Sequence, residues 1–318
     1  MQMPASELRE CASGLQFPEG PVALGDGSLL VVEMARGTLT RIHGGGKLQV
    51  IAHLGGGPNG AALGPDGRCV VCNNGGAVFR RFDGHLVPGF PPPGYSSGWI
   101  DSVNLSTGKS QRLYDRCDGI PLKAPNDIVF DSHGGFWFTD LGKDHQAART
   151  RDRGAVYYAK ADGSRISEAI FPLEGPNGIG LSPDEKTLYV AESNSGRLWA
   201  FDLAGPGKLA SSPTRPTWQR GRMLWASPCF AMLDSLCLDA EGNIYVASVP
   251  AGTIEIISPT GKWLGQIVTP DPVVTNPCFG GVDFRTLFIT LSSTGRVVAT
   301  ECNRAGLHLP WSQTSRTD

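Results

Sequence analysis

Short apolar runs separated by turn-forming residues recur along the whole chain. One complete copy of this unit occupies residues 175–203 and reads GPNGIGLSPDEKTLYVAESNSGRLWAFDL. Its Pro-Asn-Gly segment predicts a turn, which is followed by an apolar run at 179–181 and by two strands, 187–192 and 197–203, joined by Asn-Ser-Gly. Bulky apolar residues lie on both faces of these strands. The predicted antiparallel sheet must therefore be covered on both sides by copies of itself.

Weaker copies of the unit precede and follow this stretch, beginning at residues 18, 57, 124, 233 and 275. All copies carry a polar residue at the same place, and these residues are Glu19, Asn59, Asn126, Asn177, Asp234 and, as the weakest match, Asn276. The spacings between them are 40, 67, 51, 57 and 42 residues. Repeats of about 40 to 50 residues with four short strands are typical of propeller blades. The sequence therefore predicts an all-β fold, a six-bladed β-propeller with four-stranded antiparallel blades around a central channel.

The repeats leave no stretch for a second domain, so residues 1–318 are predicted to form a single propeller. A strand within residues 8–12 would complete the last blade and remove a free sheet edge. Three insertions interrupt the repeats, at 87–100, 142–154 and 204–224. The first is interpreted either as a surface linker or as a lid over the channel mouth. Among its prolines it carries three aromatic residues, Phe90, Tyr95 and Trp99.

Charge and composition narrow the range of partners. The formal net charge is −2, which gives no electrostatic reason to expect nucleic acid or an anionic membrane surface. No window approaches about 18 consecutive apolar residues, and the N-terminus lacks the pattern of a signal peptide. We therefore expect a soluble, cytoplasmic protein, a monomer or weak homo-oligomer, that binds a small molecule. Cys69 and Cys72 have the spacing of a redox or zinc pair, but residues three apart in a strand point to opposite faces, which favours core packing.

The polar residues of the repeats are the candidate functional residues. An Asn before a strand often serves only the backbone conformation of a turn. However, propeller symmetry would bring Glu19 and Asp234 together with Asn126 and Asn177 around the channel, and no Lys or Arg occupies an equivalent position. Two neighbouring buried carboxylates need a compensating charge. A divalent cation supplies it, and the all-oxygen ligand set suits Ca²⁺, Mg²⁺ or Mn²⁺, although four ligands also permit Zn²⁺.

The same motifs carry a family resemblance that covers nearly the whole chain. They are Phe17-Pro-Glu-Gly-Pro21, Pro125-Asn-Asp127, the stretch GPNGIGLSPD from Gly175, LYVAE from Leu188, Asp234, and TNPCFGG from Thr275. In these motifs the sequence resembles the family of senescence marker protein, regucalcin and gluconolactonase. The resemblance implies a six-bladed propeller that hydrolyses lactones at one divalent metal, for which we expect Ca²⁺. It also implies that Glu19, Asn177 and Asp234 hold the metal and that Asn126 contacts metal or substrate.

The resemblance further implies a mechanism, in which the metal polarises a ring carbonyl and Asp234 accepts a proton from the attacking water. Glu19 or Asp127 could take this role instead. Asp140 and His145 are weaker candidates, because a strand-ending carboxylate more often caps a turn and a loop histidine is more often solvated.

The substrate is predicted to be relatively apolar. Sugar-lactone hydrolases of this family tend to carry Arg two residues before the Asn of the third repeat, and here that position is Ala124. Together with Phe90, Tyr95 and Trp99 as predicted substrate contacts, this favours an apolar lactone, or a cyclic ketone or diketone, over a sugar lactone. Three alternatives stay open: a protein-binding propeller, a calcium-binding regulator, and a condensing enzyme resembling strictosidine synthase.

Overall fold

Six antiparallel sheets follow one another along the chain in a computed structural model that describes residues 8–211 and 221–312. The innermost strand of each sheet contacts the innermost strands of both neighbouring sheets, and the ring closes between the first and the last. This arrangement confirms the predicted six-bladed β-propeller. Part of the third predicted insertion, 212–220, lies outside the described residues.

The four strands of each blade occur in the same order. The innermost strands of blades 1 to 6 are Pro18–Ala23, Pro58–Leu63, Pro125–Phe130, Pro176–Leu181, Met232–Leu238 and Val274–Gly280. The second strands are Leu29–Glu33, Cys69–Asn73, Gly135–Asp140, Thr187–Glu192, Ile244–Val249 and Thr286–Leu291. The third strands are Thr38–Ile42, Trp99–Val103, Gly154–Lys160, Arg197–Gly205, Thr253–Ile257 and Arg296–Glu301. The outermost strands are Leu48–His53, Ser110–Tyr114, Ile166–Leu173, Arg222–Ala226, Trp263–Val268 and, for blade 6, Arg9–Ala12.

The remaining regular structure consists of short elements between these strands. Three two-stranded hairpins pair Phe79–Phe82 with His85–Pro88, Arg116–Cys117 with Ile120–Pro121, and Asp144–His145 with Thr150–Arg151. A short strand, Lys208–Leu209, pairs with the end of the third strand of blade 4, and a 3-10 turn spans Gly44–Gly46. No helix in the described part of the chain is long and apolar enough to cross a membrane.

The N-terminal strand Arg9–Ala12 pairs with Arg296–Glu301, as predicted from the sequence. Blade 6 is therefore built from both ends of the described chain. This pairing closes the ring, because it occupies the sheet edge that blade 6 would otherwise leave open.

Apolar side chains fill the space between neighbouring blades in six clusters, one for each blade interface. Phe136, Trp137 and Phe138 of blade 3 are among the largest fully buried side chains. Alternation along this strand sends Phe136 and Phe138 to the blade 2 interface and Trp137 to the blade 4 interface. Cys69 and Cys72 likewise join different clusters, as expected for core residues on opposite faces of a strand.

Each innermost strand contains a register shift at its polar repeat residue, which lies within the shifted segment or, for Glu19, at its start. The sequence predicts a turn for the Pro-Asn-Gly segment of blade 4, and this prediction is wrong, because the segment forms the first half of the strand Pro176–Leu181. The glycine instead serves a close approach, since a Cβ on Gly178 would lie 2.5 Å from the backbone oxygen of Asp234 in blade 5. Bulges of this kind redirect side chains and are frequent beside active sites.

A long insertion, residues 74–98, separates the second and third strands of blade 2. Its hairpin reaches blade 6, where the N–H of Leu86 donates to the carbonyl oxygen of Ser293 at 2.9 Å. At its other end the hydroxyl of Tyr95 donates to the carbonyl oxygen of Lys123 at 2.5 Å, just before blade 3. Both partners lie in connections at the end of the ring where the innermost strands begin. The insertion therefore lies on that end of the propeller.

Candidate metal centre

Buried oxygen atoms without hydrogen-bond partners mark one layer of the channel. In the part of the chain that the structure describes, six buried side-chain polar atoms lack a partner. Four of these six are oxygens of polar repeat residues: Glu19 Oε2, Asn126 Oδ1, Asn177 Oδ1 and Asn276 Oδ1. An unsatisfied buried polar group costs about 1–3 kcal/mol, so four in one layer indicate a missing common partner. A cation is a partner that all four oxygens can bind.

Glu19 and Asp234 lie close enough to repel each other, although they are 215 positions apart in the chain. Burial raises the pKa of Glu19 well above its usual range, and the charge of Asp234 raises it further. The pKa of Asp234 is raised to about 7, first by burial and then by the charge of Asp127. The predicted convergence of the two carboxylates is thus present in the structure. A divalent cation between the two carboxylates would offset their repulsion and lower the pKa of both groups.

Asp127 is a third carboxylate beside this pair. Burial raises its pKa to about 7, and the backbone N–H groups of Ile128 and Ile179 lower it by donating to its two oxygens, at 2.9 and 3.3 Å. Asp127 therefore already accepts a hydrogen bond at each oxygen. Asp234 accepts one recorded backbone hydrogen bond, from Ser235, and is more exposed than Glu19 or Asp127. Of the three carboxylates, Glu19, with its unpartnered Oε2, and the partly exposed Asp234 therefore keep free capacity toward the channel.

The donor set of the layer suits a hard cation. It contains two carboxylates and amide oxygens, whereas no group of three or more His, Cys, Asp or Glu side chains in residues 8–211 and 221–312 is arranged to hold a metal. A site dominated by carboxylate and amide oxygens is typical of Ca²⁺, Mg²⁺ or Mn²⁺. The residues present therefore fit the predicted cation, with Glu19, Asn126, Asn177 and Asp234 available to hold it.

Neighbouring polar groups fix two of these side chains. Asn177 donates from Nδ2 to the hydroxyl of Ser193 at 3.1 Å, and Ser193 donates to the carbonyl oxygen of Leu233 at 2.7 Å. This chain connects blade 4 to the residue before Asp234. On the other side of the ring, Thr275 lies near enough to Glu19 to lower the pKa of that carboxyl group. The sequence assigns no role to Ser193 or to Thr275, which begins one of the family motifs, because their role depends on contacts between blades.

Asn59, the repeat residue of blade 2, has a different environment from the other asparagines. Its Nδ2 lies 3.6 Å from Met34 Sδ, and the Nδ2 of Asn74 lies 3.2 Å from the same sulfur. None of the buried unpartnered oxygens belongs to Asn59. Beside it, the ammonium group of Lys143 donates to the carbonyl oxygen of Gly76 at 2.9 Å. The blade 2 side of the layer is thus packed and hydrogen-bonded within the protein.

The three aromatic residues predicted to contact the substrate lie in or next to the 74–98 insertion. Trp99 donates from its indole nitrogen to Asp101 at 2.6 Å, and the guanidinium of Arg112 stacks on it at 4.1 Å. The hydroxyl of Tyr95 is bonded to Lys123, whereas the ring of Phe90 is 38% exposed. The sequence did not single out Phe79, whose ring packs against Phe17, two residues before Glu19.

The two remaining candidates have structural roles. Asp140 is buried and accepts from the backbone N–H groups of Lys123, Ala124 and Gly142, so it caps the connection that precedes Asn126. This confirms the interpretation of Asp140 as a residue that orders a turn. His145 lies in the short hairpin of Asp144–His145 and Thr150–Arg151, and its Nε2 is 3.0 Å from Oδ2 of Asp152.

A cavity of about 140 Å³ lies next to the polar layer. Its walls are the later halves of the innermost strands and include Asp127, Cys237 and Cys278. The C-terminal segment, with Leu307 and Trp311, also lines it. The indole nitrogen of Trp311 donates to the carbonyl oxygen of Asp131 at 2.9 Å, which anchors this segment to blade 3. The C-terminal segment therefore narrows the channel at the end opposite the insertion.

Comparison with known proteins identifies similar sequences. Residues 17–293 match the model of the SMP-30/Gluconolactonase/LRE-like region. A lactonase, drp35, of Staphylococcus saprophyticus is 37% identical over 150 residues, which are 46% of this chain and 42% of that protein. The chain thus spans under half the length of that curated relative. A gluconolactonase of Zymomonas mobilis is 28% identical over 312 residues, covering 91% of this chain and 80% of the relative.

Solved structures share the fold. Regucalcin from Agrobacterium tumefaciens, described as a calcium-binding protein, superposes with a TM-score of 0.74 at 18% identity, over 96% of both chains. A gluconolactonase of Xanthomonas campestris superposes with a TM-score of 0.72 at 23% identity, over 94% of this chain and 91% of that chain. At 18% and 23% sequence identity, these two structures show that the chain shares their fold.

Proposed function

Because the chain belongs to the SMP-30/gluconolactonase/LRE-like family, we propose that it is a hydrolase that opens a lactone or similar cyclic ester at a divalent cation in its channel. The observation that carries this proposal is the layer of buried, unpartnered oxygens of Glu19, Asn126 and Asn177 beside the carboxylate of Asp234, whose charge acts on Glu19. Relatives named lactonase and gluconolactonase support the reaction class. Ca²⁺ is the cation we favour, because two carboxylates with amide oxygens are ligands that it prefers.

The cation, when bound, supplies positive charge that polarises the ring carbonyl and lowers the pKa of a water molecule. Asp234 accepts the proton of the attacking water, because it is the most exposed carboxylate of the layer. Glu19 is almost fully buried and serves to hold the cation. Asp127 is bonded to two backbone N–H groups, and it shapes the electrostatic field around Asp234.

The surroundings of the layer support a substrate that is relatively apolar. The residues two positions before the four proposed ligands are Phe17, Ala124, Gly175 and Met232, and none has a side chain that can hold a sugar hydroxyl. Met232 and Phe230, which precede Asp234, are 39% and 78% exposed. On the opposite side, the insertion that carries Phe79 and Phe90 supplies further apolar surface. An aliphatic or aromatic lactone matches this apolar collar better than a polyhydroxylated one.

The test compares dihydrocoumarin with gluconolactone, using purified protein stripped with EDTA and then supplied with Ca²⁺, Mn²⁺, Mg²⁺ or Zn²⁺. We expect metal-dependent hydrolysis with a higher kcat/KM for dihydrocoumarin. Asp234→Asn should abolish turnover while Asp184→Asn, in an exposed turn of blade 4, should not. Metal binding without turnover of any lactone would instead support a calcium-binding regulator. A preference for gluconolactone would contradict the proposed apolar substrate, but it would still support a metal-dependent lactone hydrolase.

A further inference from the structure

Asn276, like the proposed metal ligands Glu19, Asn126 and Asn177, is buried and has a side-chain oxygen without a hydrogen-bond partner. Its side chain is 3% exposed, and its Oδ1 has no hydrogen-bond partner. Glu19 is likewise 3% exposed and has an unpartnered oxygen. An isolated buried amide oxygen in this state is destabilising, so its persistence calls for a ligand.

The place of Asn276 in the ring is between the two carboxylates. Its strand, Val274–Gly280, contacts the innermost strand of blade 1, which carries Glu19, and that of blade 5, which carries Asp234. The preceding residue, Thr275, lies near Glu19. Asn276 is therefore the repeat residue that closes the ring of oxygens from Asp234 to Glu19.

The backbone of Asn276 is held firmly. The N–H of Asn276 donates to the hydroxyl of Thr290 at 2.9 Å. The same hydroxyl donates to the carbonyl oxygen of Asn276 at 3.2 Å. The strand changes register between Val274 and Pro277. The main-chain groups of Asn276 are thus bonded to Thr290, whereas its side-chain oxygen has no partner.

Asn59 shows that the repeat position alone does not produce this state. It has the same residue type at the equivalent place in blade 2, but its amide nitrogen contacts the sulfur of Met34 and its Oδ1 is not among the fully buried, unpartnered atoms. Asn276 is therefore the candidate ligand, and Asn59 is the matched control for substitutions at the same repeat position.

We propose that Asn276 Oδ1 is a fifth protein ligand of the cation, together with Glu19, Asn126, Asn177 and Asp234. This assignment rests on the proposed function, because it requires a cation in the layer. Five protein oxygens disfavour Zn²⁺, which usually takes four ligands, and favour Ca²⁺, which takes six to eight. Asn276 is therefore a residue that sets which metal the site selects.

The experiment measures Ca²⁺ and Zn²⁺ affinities of EDTA-stripped protein by competition with a chromogenic chelator. Asn276→Leu keeps the approximate volume and removes the oxygen, and we expect it to weaken Ca²⁺ binding at least about tenfold, with a smaller effect on Zn²⁺. Asn276→Asp keeps an oxygen and should bind Ca²⁺ at least as tightly as the wild type. The matched control, Asn59→Leu, should change the Ca²⁺ affinity by less than about threefold.

The outcomes separate this inference from the proposed function. If the wild type binds Ca²⁺ and Asn276→Leu binds it equally well, Asn276 is not a ligand, while the proposed centre stands. If the wild type binds no divalent cation, the proposed centre fails and this assignment fails with it. Thermal unfolding of each variant in EDTA reports folding independently, and Asn276→Asp tests the oxygen even if Asn276→Leu does not fold.

Discussion

The ring of Phe79, on the inserted hairpin of blade 2, packs against the ring of Phe17, with 5.3 Å between their centroids. Phe17 is buried and adopts a left-handed backbone conformation, with φ of 59°, two residues before Glu19. Such a conformation is unfavourable for a bulky residue and persists only where the surroundings enforce it. The hairpin therefore stabilises the backbone that presents Glu19 to the channel.

Removing this contact should affect the site more than the fold. We expect Phe79→Ala to raise KM for an apolar lactone by about threefold to thirtyfold, because the aromatic contact and part of the apolar collar are lost. The measurement is steady-state kinetics on dihydrocoumarin. Phe82→Ala, on the same hairpin but 76% exposed, is the matched control and should behave as the wild type. Equal kinetics for both variants would show that the hairpin does not contribute to substrate binding.

The raised carboxyl pKa values predict an unusual dependence of stability on pH in the metal-free protein. The pKa values of Asp127 and Asp234 rise from the ordinary 3.8 to about 7 in the folded chain. A group whose pKa is higher in the folded state stabilises it below the unfolded pKa, and this contribution is lost as pH rises toward the folded value. Stability in EDTA should therefore fall between about pH 4 and pH 7.

Differential scanning fluorimetry checks this prediction. We expect Tm in EDTA to be lower at pH 8 than at pH 5.5 by about 2 °C or more. Saturating Ca²⁺ should raise Tm most at pH 8, because the ionised carboxylates bind the cation. The double variant Asp127→Asn, Asp234→Asn should lose the part of the pH dependence that these two groups contribute, and Glu19, whose pKa is also raised, should account for the remainder. A metal-free Tm that rises from pH 5.5 to 8 would contradict the assignment of these raised pKa values.

Much of this arrangement could be predicted from the sequence. The repeat of polar residue, apolar run and strand pair identified the blades, and equivalence within the repeat identified Glu19, Asn126, Asn177 and Asp234 as one layer. Closure by the N-terminal strand followed from the need to occupy a sheet edge. These features depend on local patterns repeated six times, so each copy supports the others.

Other features depend on contacts between blades that no local pattern reports. The Pro-Asn-Gly segment of blade 4 was predicted as a turn because glycine favours turns, but Gly178 is in a strand where the backbone of blade 5 comes close. Likewise, Asn59 and Asn276 are the same residue type at the same repeat position. Only the surroundings, with Met34 beside Asn59, distinguish them.

Asp234 and Asp127 should differ sharply in kinetics. We expect Asp234→Asn to lower kcat by at least about a hundredfold, because a positioned base contributes about 10² to 10⁴ to the rate. Asp127→Asn should retain more activity, since it replaces one of two backbone-bonded oxygens by an amide nitrogen without removing the base. Single-turnover rates on dihydrocoumarin at saturating Ca²⁺ separate the two. If Asp127→Asn is the more damaging substitution, the base has been assigned to the wrong carboxylate.

Blades 4 and 5 approach each other so closely at Gly178 that adding a methyl group there should destabilise the protein. In Gly178→Ala the new Cβ would lie 2.5 Å from the backbone oxygen of Asp234 and 2.9 Å from the backbone nitrogen of Leu236, so a strand must move. We expect the free energy of unfolding to fall by about 1–3 kcal/mol. The Ca²⁺ affinity should fall as well, because Asn177 and Asp234 flank this contact. Gly44→Ala, where a Cβ meets nothing within 4 Å, is the matched control and should change stability by less than about 0.5 kcal/mol. Urea unfolding with and without Ca²⁺ measures both effects, and normal Ca²⁺ affinity in a destabilised Gly178→Ala protein would show that the metal layer tolerates movement between these blades.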